Sequence, residues 1–282
     1  MAAVPYLLGK VIGMTSAIEP PESRPEDTID QMISVSGRTS FPLRRSFLQQ
    51  KTETGKLRSG PLASLVRAGD LKGLRLYLLL LTKASKEPWD SSLHAAVWAR
   101  ALGLDLPTSK TATSAISKAW LRLERHKLIT RSRRKRLAVV TLLREDGSGL
   151  AYTHPAQDNS GGTYLRVPTA LWLNGPDAAT RWYQILELPE LAVLLIARSL
   201  GDNFRLPYEE APNWYGISAD TVARGVDRLV KKNVIKVDKT FKKAPLSPLG
   251  YTAEHRYTLC DPFGPIGKLS ASSRKTTRKE PF

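Results

Sequence analysis

The sequence predicts a mainly α-helical chain with short β-hairpins, built as two similar units between a flexible N-terminal arm and a basic C-terminal tail. Three observations carry this expectation. Residues 116–129 (ISKAWLRLERHKLI) and 222–235 (VARGVDRLVKKNVI) align without a gap, with apolar residues at the same positions. Each segment follows a short helical pattern that stops at Gly plus an apolar residue, and each precedes a basic stretch between two apolar runs. The 282 residues also hold 43 Lys plus Arg against 26 Asp plus Glu, a net charge of +17, with 41% apolar content. At roughly 100–200 residues per domain this length suggests two domains, each able to bury a core.

Residues 1–60 are rich in Pro, Ser, Thr and Gly, with Pro20, Pro21 and Pro25 close together, and show no sustained period. They read as a flexible arm. The first unit, 61–145, opens with Leu71, Leu74, Leu76, Tyr77 and Leu78 to Leu81, so dense that the helix is apolar around most of its circumference. Such a helix is buried on several sides or pairs with another chain. A second helix, 93–102, stops at Gly103-Leu104, where Gly permits a positive φ. After a turn at 105–110, capped by Thr111 or Thr113, a third helix buries Ile116, Trp120 and Leu123 at helical spacing. Then Ile129-Thr130 leads through the basic loop 131–136 (RSRRKR) into the apolar run 137–143.

Gly147, Gly149, Gly161 and Gly162 in a polar stretch mark a linker at 146–163. The second unit, 164–263, begins with a strand at 164–167 and one helical turn at 168–173 stopped by Asn174-Gly175. An apolar helix follows at 188–199, then a short one at 208–215 ending in Gly216-Ile217, then a Ser218-capped helix that buries Val222, Val226 and Leu229. Its hairpin runs from 235–237 through a long loop carrying Lys239, Lys242, Lys243, Pro245, Pro248 and Gly250, and returns at 255–259. Residues 264–282, with Lys268, Arg274, Lys275, Arg278 and Lys279 among Ser and Thr, form the basic tail.

Catalytic chemistry is absent from these patterns. One cysteine, Cys260, excludes an intramolecular disulfide and a cysteine-based zinc site. His94, His126, His154 and His255 lack a partner at metal-ligand spacing, and Gly9 to Gly13 lacks the GK[ST] ending of a phosphate loop. Carboxylate pairs such as Glu209-Glu210 have no partner set for acid–base work. The expectation is therefore no enzyme, no cofactor and no metal. Residues 1–14 lack the form of a signal peptide and no apolar run approaches a membrane span, so a cytoplasmic, nucleoid-associated protein is expected. Trp98, Trp120 and Trp214 fall on core faces, and Trp172 and Trp182 between the units suit a seam.

Three helices followed by two strands with a basic loop resemble the winged-helix superfamily, over residues 70–143 and 188–260. The tandem arrangement is similar to that of plasmid replication initiators. The resemblance implies a sequence-specific double-stranded DNA-binding protein, first a transcription regulator and alternatively a plasmid or mobile-element replication initiator at origin repeats. It implies that Thr113, Ser114, Ser117, Lys118, Thr221 and Arg224 meet bases, and that Arg122, Arg125, Arg228, Lys231 and Lys232 meet phosphates. Arg131, Arg133, Arg134, Lys135 and Arg136 on the first wing, and Lys239, Lys242 and Lys243 on the second, would contact the polyanion as well. Duplex DNA is the expected partner, with a homodimer through the helix at 71–81 as a further one.

Overall fold

Residues 23–52 and 54–60 are folded, which departs from the arm expected there. The computed structural model describes residues 23–52, 54–104, 110–135, 137–158 and 163–264. Helix α1 (Pro25–Ser36) starts with Pro25 in its first turn and carries Glu26 and Asp27 there, where the fixed φ of proline and negative charge both favour a helix start. Ile29, Met32 and Ile33 supply its buried face, and Gly37 at φ 63° ends it. Strands β1 (Ser40–Arg44), β2 (Gln49–Lys51) and β3 (Leu57–Ser59) follow, and β2 pairs with β3.

Helix α2 (Pro61–Arg67) leads to α3 (Leu71–Lys83), which is capped by Asp70. Leu74 and Leu76 to Leu81 are buried within this chain, so α3 is a core helix and offers no dimer surface. Around it stand β4 (Asp90–Ser91), α4 (Ala95–Ala101), α5 (Lys110–Arg125), β5 (Ile129–Arg134) and β6 (Leu137–Leu142), with the sheet order β4-β6-β5. Trp98 of α4 meets Trp120 of α5 edge to face at 5.3 Å, locking the two helices together. Because α5 begins at Lys110, Thr111 and Thr113 lie inside its first turn rather than at its cap.

The residues that follow β6 are packed against the rest of the chain. Glu145 is fully buried against Arg44 of β1, which also bonds Asp158 and the Thr153 carbonyl, so the expected linker is tied to the N-terminal segment. Strand β7 (Tyr164–Pro168) then pairs antiparallel with β1, Phe41 opposite Val167 and Leu43 opposite Leu165. Short helices α6 (Ala170–Leu173) and α7 (Trp182–Ile185) precede α8 (Leu188–Leu200). Trp172 donates its indole N–H to the Thr82 hydroxyl of α3 at 3.0 Å, and Trp182 packs on Phe263 at 5.6 Å, which puts both tryptophans at the seam. The rest is α9 (Ala211–Tyr215), α10 (Ala219–Lys231), and the hairpin of β8 (Ile235–Lys243) and β9 (Tyr251–Leu259).

This architecture corrects the expected fold class. Among the described residues 45% are helical and 22% are in strands, with ten helices and small sheets, so the chain is mixed α/β rather than mainly α with two tandem winged-helix domains. One hydrophobic cluster runs from Ile29 to Phe263 through both halves, and the β1–β7 pairing joins segments far apart in sequence. The physical reason is that no half closes its own core: α3, apolar around most of its circumference, needs covering from α1, α5 and the seam tryptophans together. Residues 1–22 of the arm, the turn residues 105–109, Arg136, Gly161, Gly162 and residues 265–282 of the tail lie outside the described residues.

Candidate nucleic-acid interface

The internal repeat is real in three dimensions at the level of local geometry. Gly103 and Gly216 both stand at φ 64° between the paired helices. Lys127 and Asn233, which occupy matching places in the alignment, both take a left-handed φ of 56° and 57°. In both units the next residue's N–H turns back onto the preceding helix, from Leu128 to the Leu123 carbonyl at 3.1 Å and from Val234 to that of Leu229 at 2.9 Å. The same bend thus feeds each helix into its hairpin. Ser218 caps α10 as expected, its hydroxyl accepting the Thr221 N–H.

On α5 the buried face is Ala112, Ile116, Ala119, Trp120 and Leu123. The opposite stripe of Thr111, Ser114, Lys118, Leu121 and Arg125 is exposed, with Ser117 beside it and Thr113 half-buried. Spacings of three and four put those residues on one side of the helix. Arg122 is different: it grips Asp70 with two hydrogen bonds of 2.7 and 2.6 Å and so serves the fold. Between the start of α3 and α5 lies a concavity of about 490 Å³ bordered by Lys72, Arg75, Lys118 and Arg122, with Asp70 the one anion among those lining residues.

The first hairpin is tighter than the sequence suggested. Arg131, Arg133 and Arg134 are in β5 itself, and Lys135 at φ 56° opens the turn. Alternation puts Arg131 and Arg133 on one face and Arg134 on the other. Arg131 is held by Glu124 at 2.7 Å, and Arg134 lies 3.6 Å from Asp90, while Arg133 and Lys135 stand exposed without an ion pair among the described residues.

On α10 the cations are committed. Arg224 pairs with Asp220 at 3.1 Å and Lys231 with Asp227 at 2.8 Å along the exposed stripe, which is thereby neutral overall. Arg228 bonds Glu187, and Lys232 bonds the buried Glu190, so both fasten α10 to α8. Thr221 is half-buried beside the cap. In the second hairpin Lys239, Lys242 and Lys243 lie on β8 rather than in a loop. Lys239 sits 5.2 Å from the centre of the Phe241 ring, and Lys242 pairs with Glu254 at 2.5 Å. Arg205 and Arg256 converge on the same carboxylate, and Lys242 with Arg205 pulls its pKa down to about 2.

Sequence reading therefore located the α5 and α10 helix faces and their hairpins but could not separate free from paired cations. It also missed Lys72, whose place beside Lys118 depends on how α3 crosses α5. Among the described residues no group of three His, Cys, Asp or Glu is placed to hold a metal, and no helix is long and apolar enough to cross a membrane. No family model, curated protein or solved structure matches the chain.

Proposed function

We propose that the chain is a sequence-specific double-stranded DNA-binding protein in which α5 reads the major groove and the β5–β6 hairpin runs against the neighbouring backbone or minor groove. The observation that carries this reading is the exposed face of α5. Ser114 and Ser117 stand on its N-terminal half, Lys118 at its middle and Arg125 at its C-terminal end, and Arg133 and Lys135 follow on the hairpin, all free of acidic partners among the described residues. Hydroxyl and basic side chains on the first turns of a groove helix reach base edges, and later cations meet phosphates. Lys72 and Lys118 flank a concavity where a phosphate run would rest.

The second unit is the weaker reader, because the exposed stripe of α10 is neutralised within itself. Its contribution comes from the hairpin, where Lys239 and Lys243 stand exposed. A transcription regulator is the role we propose. The shared core holds the two units in one body, which also suits a replication initiator binding repeated sites.

Selection of bound fragments from genomic DNA, followed by footprinting, tests both levels. Enrichment of a duplex sequence supports the reading, and failure to enrich any overturns it. Protection of one or two sites beside a promoter favours the regulator, whereas protection of an array of direct repeats favours the initiator.

A further inference from the structure

The end of the second hairpin carries an apolar point that the fold does not use. Leu246 is fully exposed and Leu249 is 72% exposed, while Phe241 and Tyr251 lie open on the strands just below them. The hairpin is anchored over its lower half, where Phe204 bridges to Tyr257, the Tyr208 and Tyr257 hydroxyls meet at 2.7 Å, Arg205 pairs with Glu254 and Arg256 donates to the Asn203 carbonyl at 3.1 Å. Beyond those contacts, residues 241–243 and 251–253 carry the two strands on to the tip, roughly 10 Å at about 3.3 Å per residue.

The tip is a built turn. The Ser247 N–H donates to the Ala244 carbonyl, the Gly250 N–H to that of Ser247, and the Ala244 N–H to that of Gly250, each at 2.9 Å. The Ser247 hydroxyl adds a bond to the Tyr251 carbonyl at 2.9 Å. Pro245 and Pro248, each directly before a leucine, fix two further φ angles. The two leucines are thus presented outward on a stiffened loop.

The geometry points to a wedge: the β8–β9 tip inserts Leu246 and Leu249 between base pairs from the minor groove of a bound duplex, and kinks it. This inference rests on the DNA-binding reading above. Architectural proteins insert Leu, Phe or Pro into a base step in this way, kinking the duplex by roughly 20–90° while basic side chains grip the flanking phosphates. Lys239 and Lys243 stand on the strand face below the tip and supply that grip. A second copy of the chain is a poorer occupant. It would set these lysines against their counterparts, and two leucines on a turn fall far short of the ~800 Å² per partner of a stable interface.

The test uses the full chain, a short A·T-rich duplex end-labelled with donor and acceptor dyes, and the double variant Leu246→Ala/Leu249→Ala. The substitutions are at exposed positions, and an unchanged Tm establishes that the variant is folded. The parent is expected to raise energy transfer on binding. The variant is expected to lose that rise while binding no more than about tenfold more weakly, with the same salt dependence because its lysines remain. A parent that binds without raising transfer, or a variant that bends DNA as the parent does, overturns the wedge and leaves the DNA-binding reading intact. A parent that binds no duplex overturns both. A fall in sedimentation mass from dimer to monomer in the variant overturns the wedge in favour of a second copy.

Discussion

Arg122 and Asp70 form a two-pronged ion pair, Nε to Oδ2 at 2.7 Å and Nη2 to Oδ1 at 2.6 Å, that fixes α5 to the core. The same carboxylate caps α3 through the Gly73 N–H at 2.9 Å. Burial pushes the Asp70 carboxyl up, but Arg122 and the Gly73 N–H outweigh it and hold it below the usual carboxylate range. Removing Arg122 strands a buried carboxylate.

Arg122→Ala is therefore expected to lower stability by about 1–3 kcal/mol, less than a fully buried pair because the Arg122 side chain is 38% exposed. Since the folded pKa of Asp70 is depressed, the pair's contribution is present above about pH 4 and is lost as pH falls through the folded value. Urea titrations at neutral and acid pH check this: the penalty shrinks in acid. The salt slope of DNA binding stays unchanged, and a flattened slope would return Arg122 to the phosphate contacts.

Arg133→Ala/Lys135→Ala removes two exposed cations without breaking an ion pair among the described residues. If both meet phosphate, the slope of log affinity against log salt falls by about 0.9 for each. Arg224→Ala/Lys231→Ala also removes two cations but leaves Asp220 and Asp227 behind. Binding titrations over a salt series should therefore show a smaller slope change for the second pair, with a rise in dissociation constant from the carboxylates left unpaired.

Gly225 lies in the middle of α10 where α8 presses closest. A Cβ there would stand 2.6 Å from the Pro189 carbonyl oxygen and 2.6 Å from a Val193 methyl. Glycine to alanine in a helix ordinarily gains about 1 kcal/mol, but overpacking against backbone costs about 1–3. A net loss of up to about 2 kcal/mol is expected for Gly225→Ala, read by thermal or urea unfolding; a gain in stability would show that α8 yields freely.

Glu145 and Arg44 are paired at 2.5 Å and both side chains are almost fully buried. Glu145→Ala leaves Arg44 with Asp158 as its remaining carboxylate and with Thr153, and is expected to cost about 1–3 kcal/mol, less than an uncompensated buried charge. Because the Arg44 backbone N–H also donates to Glu145, hydrogen exchange should rise first in β1 and its partner β7. Uniform loss of protection across the chain would mean that the cluster does not hold this pairing locally.

Lys242 first, and then Arg205, hold the Glu254 carboxyl at a pKa of about 2. Its contribution to the β8–β9 hairpin is present above the ordinary glutamate value of about 4.3 and is lost as pH falls through about 2. Exchange of the hairpin amides should accelerate over that interval in the parent and be insensitive to it in Glu254→Gln.

Much of the molecule is written locally. Ile116, Trp120 and Leu123, with their counterparts Val222, Val226 and Leu229, declare two helix faces by spacing alone, and all six are buried. Gly103 and Gly216 announce the turns they make. The start of α1 was equally legible in Pro25, Glu26 and Asp27, followed by Ile29, Met32, Ile33 and a Gly37 stop, although the surrounding composition read as an arm. The second hairpin carried Ile235, Val237 and Phe241 at even spacing, a strand signal that Lys239 interrupts.

The +17 charge, the repeat and the helix faces were determined by the sequence itself, because composition and periodicity belong to neighbouring residues on one chain. Which cations remain free was decided only in the tertiary structure. Ion pairs form over a few ångströms of space, and the partners Asp70 and Arg122, Glu187 and Arg228, or Glu190 and Lys232 are brought together by helix packing rather than by sequence proximity. The same holds for β1 and β7, whose pairing merges two apparent units into one core.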